Sequence, residues 1–140
     1  MGGRTTERVA LMAIHERYAD AIMDGTKQVE FRKRRLADDI ETVWVYATAP
    51  VSKVIGHFSV HEIVSGTPQA IWERFGSVGV IEHDDFFDYY EGRMTAVAIV
   101  VGSAERLTDP IPLDEIDQRP AVPQSFAYLP ATSSPAQAIA

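Results

Sequence analysis

The run ETVWVYATAP, residues 41 to 50, leaves few folds open. It is rich in β-branched and aromatic side chains with almost no polar break, the pattern of a strand buried on both faces or lining a barrel. Such a strand needs neighbours on both sides, and the chain supplies them. RVALMAI (8 to 14) is an apolar run of strand length, and KQVEFRKRR (27 to 35) alternates. SKVIGHFSVHEIVSG (52 to 66) reads as a long strand with Gly56 at a bulge or bend. RMTAVAIVVGSAERL (93 to 107) is the most strand-like stretch and is expected to break at Gly102.

Short helices fit between these strands. Tyr18, Ala21 and Ile22 have helical spacing, and Gly25 stands where a left-handed C-cap would end a helix begun near His15. In TPQAIWERFG, Thr67 reads as N-cap, Pro68 as the first helical residue and Gly76 as the stop. A third helix is expected from about Asp84 to Tyr90, closed by Gly92, with Phe86, Tyr89 and Tyr90 as its buried stripe. The expected fold is α+β: a small mixed β-barrel of five to six strands with two to three short helices. Residues 1 to 115 form the domain. Residues 116 to 140 are an extension, with 125 to 129 (SFAYL) docked as an extended anchor and 130 to 140 disordered.

With 140 residues and 46% apolar side chains, the chain is long enough for one real core. No run approaches the ~20 apolar residues of a membrane-spanning helix. The absence of cysteine excludes disulfides and thiolate zinc sites. The N-terminal stretch has no signal-peptide pattern, so a cytoplasmic protein is expected. The net charge of −7 argues against broad coating of nucleic acid. The charge is uneven, however: EHDDFFDYYE (82 to 91) is acidic, whereas Lys27, Arg32, Lys33, Arg34 and Arg35 crowd into nine residues. A positive patch on an acidic body suits a selective anionic ligand.

Within that patch Glu30 and Arg32 share a strand face, roughly 6 to 7 Å apart at Cα, with Lys27 at the turn before them. The trio suits binding of a phosphate together with a base edge: Arg by its planar fork, Lys as a point charge, Glu as an acceptor. It also suits acid/base work by Lys27 and Glu30. The competing reading is an exposed strand edge with ion-paired neighbours that contribute little. Arg34 and its neighbours read equally as phosphate contacts or as charges that protect an edge.

Other residues are weighed the same way. Trp44, Tyr46 and Thr48 share a strand face, placed either to stack a base or to fill the core. Ser59 is expected beside His57 and His61, on a face that lines either a cleft or the barrel surface. The two histidines would stand about 13 Å apart, too far for one zinc ion. Asp84 and Asp85 lack a calcium-loop pattern. No metal and no cofactor is expected.

The stretch AIMDGTKQVEFR, with Gly25, Lys27 and Arg32 in a G-x-K-x-x-x-x-R pattern and Glu30 inside it, resembles the ASCH family of small PUA-like β-barrels. The likeness covers about residues 8 to 113. It implies a cleft between the first helix and the barrel that takes RNA or a nucleoside-like molecule, with Lys27, Glu30, Arg32, Arg34, Tyr46, Thr48 and Ser59 as ligand-binding candidates. Some members of that family are amidohydrolases acting on an acetylated nucleoside, and some cleave RNA. The amidohydrolase branch uses a Lys, a Thr three residues later and a later Glu. Here Lys27 matches, Glu30 stands in the Thr position, and the third place reads FGSVGV. Binding of RNA or a nucleobase is therefore the expectation, with hydrolysis by Lys27 and Glu30, independent of metal, as its alternative.

Overall fold

The computed structural model describes residues 7–136. Six strands form one mixed sheet: β1 (Arg8–Ile14), β2 (Val29–Arg32), β3 (Thr42–Ala47), β4 (Lys53–Gly66), β5 (Ala96–Ile111) and β6 (Phe126–Pro130). Their order is β2-β5-β4-β3-β1-β6. Only β1 and β3 run parallel; every other neighbouring pair is antiparallel. The helices are α1 (Glu16–Asp24), α2 (Pro68–Phe75) and α3 (His83–Tyr89). This is the α+β architecture expected. The sheet curls like a small barrel but does not close, because β2 and β6 remain as its two edges.

Local signals set the helix ends. Gly25 sits at φ 89°, where a Cβ is disfavoured, and its N–H caps the carbonyl of Ile22 at 3.2 Å. The Thr67 hydroxyl accepts the Ala70 N–H at 3.1 Å, with Pro68 at the first helical position. Around α1, Ala19 and Ile22 join Met12, Val43, Val45 and Phe58 in the main core. Phe86 of α3 and Tyr90, the residue that caps it, pack with Ile71 and Phe75 of α2 over Val29 and Phe31.

Four expectations need correcting. First, β5 runs unbroken through Gly102. The Ser59 hydroxyl accepts the Ser103 N–H at 2.9 Å in place of a ladder bond, and a Cβ on Gly102 would lie 2.5 Å from that oxygen. Second, register shifts in β4 on both sides of Val60 spoil the even alternation expected of His57, Ser59 and His61. His57 pairs with Glu105 at 3.1 Å and packs at a tilt against Trp44. Third, Tyr89 leaves the stripe of Phe86 and Tyr90 and stands 37% exposed. Fourth, disorder does not begin at residue 130. Pro130 still pairs with Arg8, Ala131–Ser133 form a 3-10 turn, and Ser133 bonds Asp117; residues 137 to 140 lie outside the described residues.

The SFAYL anchor becomes β6, which zips along β1 and buries Phe126 in the main core. Phe126→Ala is expected to cost about 3 kcal/mol of unfolding free energy, seen as a lower urea midpoint with an unchanged slope. An unaltered midpoint would show that β6 stands outside the cooperative unit.

Candidate functional site

The turn DGTK fixes where the candidate site begins. Asp24 accepts from both the Thr26 N–H (3.0 Å) and the Thr26 hydroxyl (2.7 Å), and these bonds hold its carboxyl below the usual carboxylate range. The Lys27 N–H bonds the Ala21 carbonyl at 3.0 Å, and the Gln28 N–H bonds the Val78 carbonyl at 2.9 Å. The chain thus leaves α1 turned sharply into β2, with Lys27 pointed inward.

Lys27, Glu30 and Arg32 are all buried, at 2%, 6% and 9% exposure, which overturns the exposed-edge reading. The Lys27 ammonium donates to the Gly79 carbonyl and lies 3.7 Å from Glu30 Oε1. It also faces the rings of Tyr18 (4.8 Å) and Phe31 (5.3 Å), whose π faces favour a cation. The other Glu30 oxygen accepts from Arg32 Nη1 at 2.9 Å. Arg32 reaches on to the Ala13 carbonyl at 3.4 Å and to the Ser125 hydroxyl at 2.6 Å. Its buried Nε is left without a hydrogen-bond partner. The Tyr90 hydroxyl donates to the Arg32 carbonyl at 2.7 Å and pins the end of β2.

The trio lines a cavity of about 620 Å³ between α1, β2, α3 and the segment before β6, within the usual range for small-ligand sites. Around it stand Tyr18, Phe31, Ile81 and Tyr89, together with Lys33, Arg34, Arg93 and Thr48. Five lining residues are Lys or Arg, and Glu30 is the one carboxylate among them. Val122 and Tyr89, two of the four exposed large apolar residues among the described residues, line the cavity; the other two, Val80 and Met94, are chain neighbours of the lining residues Ile81 and Arg93. The mouth is thus both apolar and basic.

Among the expected site residues, Lys27, Glu30, Arg32, Arg34 and Thr48 meet at this cavity. Tyr46 and Ser59 do not. Tyr46 is buried in a separate core with Trp44, Leu11, Val54 and Ile111, and Ser59 serves the β4–β5 ladder. Arg35 turns away to Asp38. The residues not foreseen are Tyr89, Arg93, Gly79 and Ser125. The acidic helix signal concealed Tyr89 and Arg93. Nothing local marks Ser125, whose partner Arg32 is 93 residues away in sequence.

Burial lowers the Lys27 amine below the ordinary lysine value of 10.5, against the opposing pull of Glu30. Below its folded-state value the buried ammonium is charged in both states and its desolvation cost is complete. As pH rises, the folded form releases this proton first. The unfolded chain then binds more protons, so stability grows until about 10.5. Relative to Lys27→Met, the native protein is therefore expected to gain stability between neutral pH and pH ~10.5. Urea melts of both proteins across that range test this; a constant difference would mean an amine of ordinary basicity.

Comparison with known proteins accords with the fold. The family model described as ASCH domain matches residues 12–104. An ASCH domain-containing ribonuclease of Zymomonas mobilis is 33% identical over 124 residues, covering 86% of this chain and 83% of that protein. The crystal structure of ASCH from Zymomonas mobilis superposes with a TM-score of 0.85 at 31% identity, covering 94% of this chain and 92% of that one. The large ribosomal subunit protein uL22 of Ureaplasma parvum is 30% identical over 125 residues, which span 89% of this chain but 40% of that protein. By the extent of the family match and the identity to the Zymomonas protein, the chain belongs to the ASCH domain family.

Proposed function

We propose that this protein binds single-stranded RNA, seats one nucleotide in the cavity and cleaves the adjoining phosphodiester. The observation that supports this best is the charge balance of the buried trio. Two cations share one carboxylate, which leaves a positive charge uncompensated at a cavity wall. A buried unpaired charge is costly, and a phosphate would complete it. Lys33, Arg34 and Arg93 at the rim suit neighbouring phosphates. The half-exposed apolar mouth suits bases that are splayed rather than paired. The Zymomonas relative, named a ribonuclease, points to the same substrate.

The chemistry that suits these groups is attack of a ribose 2′-oxygen on the adjacent phosphorus. The 2′-O–P bond forms as the P–O5′ bond breaks. Glu30 takes the 2′-hydroxyl proton, and the Lys27 ammonium gives one to the departing 5′-oxygen. The lowered pKa of Lys27 makes it a better acid. Arg32 stabilises the charge on the pentacoordinate phosphorus. Glu30 Oε1 and Lys27 Nζ are 3.7 Å apart, so a small side-chain movement lets the proton return and restore both groups.

Two outcomes follow for a labelled single-stranded RNA oligonucleotide. Lys27→Met and Glu30→Gln are each expected to lower the cleavage rate by ~100-fold or more, with Glu30→Gln leaving binding intact. Cleavage at the native rate in either would sink the assignment, and a mobility shift without cleaved product in the native protein would reduce the reading to binding alone. Arg34→Ala and Arg93→Ala should each lower the slope of log affinity against log salt by about 0.7. Unchanged slopes would remove both from the phosphate path.

A further inference from the structure

Val80 is a β-branched residue at φ 54°, in the left-handed region where such side chains are outliers. Its side chain does not explain this, for it is 43% exposed. The backbone on either side does. The Gly79 carbonyl, acceptor of the Lys27 ammonium, belongs to the Gly79–Val80 peptide. The tilt of that peptide is set by two torsions, Gly79 ψ at −10° and Val80 φ at 54°. Both flanks are clamped. The Val78 carbonyl is held by the Gln28 N–H at 2.9 Å, and the Glu82 carbonyl by the Phe86 N–H at 2.9 Å in the first turn of α3. Gly79 itself lies so close to Phe31 that a Cβ would come within 2.3 Å of its ring. With the ends fixed, a return of Val80 to negative φ would swing the carbonyl off Lys27.

We infer that the left-handed Val80 backbone is a positioning device for Lys27, aiming the Gly79 carbonyl so that the ammonium is held toward Glu30 and the cavity. Strained backbone that no local packing rewards is a known mark of functional sites. The carbonyl fits the task because it accepts a hydrogen bond without neutralising the charge. The other groups that act on the ammonium are Glu30 and Arg32 on β2 and Arg17 on α1, together with the Tyr18 and Phe31 rings; none of them fixes it from the α3 side. Val80 is thus a positioning residue, not a catalytic one. Its kinetic consequence rests on the proposed role of Lys27 in RNA cleavage.

The test combines substitution with NMR. Val80→Pro forces φ to about −65° and disfavours the present Gly79 conformation as well. In the folded variant, kcat on a short single-stranded RNA should fall on the order of 10- to 100-fold with KM little changed. The Lys27 titration, read by Nζ-detected ¹⁵N NMR, should move to lower pH as the charged form loses its acceptor. Val80→Asn and Val80→Gly, which accept the left-handed region, should keep native kcat and the native Lys27 titration while melting higher. A folded Val80→Pro protein with native kcat and native Lys27 titration would overturn the inference. If Val80→Pro does not fold, the native protein still decides. The Gly79 carbonyl ¹³C shift should follow Lys27 deprotonation, and a shift that stays flat through that titration would overturn the inference equally. Lys27→Met separates the two readings: if it cleaves normally the functional proposal fails, and the NMR result judges the positioning of Lys27 by itself.

Discussion

The guanidinium of Arg32 reaches from one edge of the sheet to the other. It projects from β2, at one end of the strand order, to the carbonyl of Ala13 on β1 and to Ser125, just before β6 at the opposite end. A curled sheet that stops short of closure leaves two edges with unpaired backbone groups, a liability that proteins cover or pair. Here a side chain spans the seam where a ladder would otherwise run, and the open space beside it is the cavity. A closed ladder between β2 and β6 would leave no room for a ligand. Arginine suits the place because its planar fork makes several directed bonds at once and keeps its charge. Glu30 on the same strand holds the near side of that fork.

The same geometry decides how charge acts. The chain as a whole carries −7, which opposes a polyanion at a distance. At physiological salt that repulsion fades within about 8 Å, whereas charges in a walled cavity are screened far less. The basic lining therefore operates at contact, and the acidic face of α3 (Asp84, Asp85 and Asp88) restricts what can approach on that side. The proposed selectivity for an unpaired strand over a bulky duplex rests on shape and charge together.

Much of this was legible from residue order. The Gly25 stop and the Thr67–Pro68 cap rest on local rules of turn chemistry, whereas period-two alternation puts Glu30 and Arg32 on one face without telling whether that face is buried. The failures share one cause, partners distant in sequence. Tyr46 and Thr48 have the same strand parity, yet one is core and the other lines the cavity, since parity names a face and not its depth. Gly102 continues a strand because Ser59, which lies 44 residues from the Ser103 N–H it accepts, mends the ladder. Tyr89 ends α3 and Tyr90 caps it; the second faces Phe86 and β2, and the first is left to the mouth of the cavity.

The stretch FGSVGV gives the fold its chemical bias. The amidohydrolase branch that this motif resembles uses a glutamate in that place. Here a backbone carbonyl, that of Gly79, meets the Lys27 ammonium. The exchange alters the electrostatics more than the shape. A second carboxylate would bring the buried set to neutrality and suit an uncharged amide. A carbonyl orients the ammonium and leaves the excess positive charge in place, which supports the proposed anionic ligand. A carboxylate at that point would also need no strained peptide to aim it, because its own side-chain torsions would do so. On the proposed reading, the left-handed Val80 and an anionic ligand both go with a carbonyl, rather than a carboxylate, in the wall of the cavity.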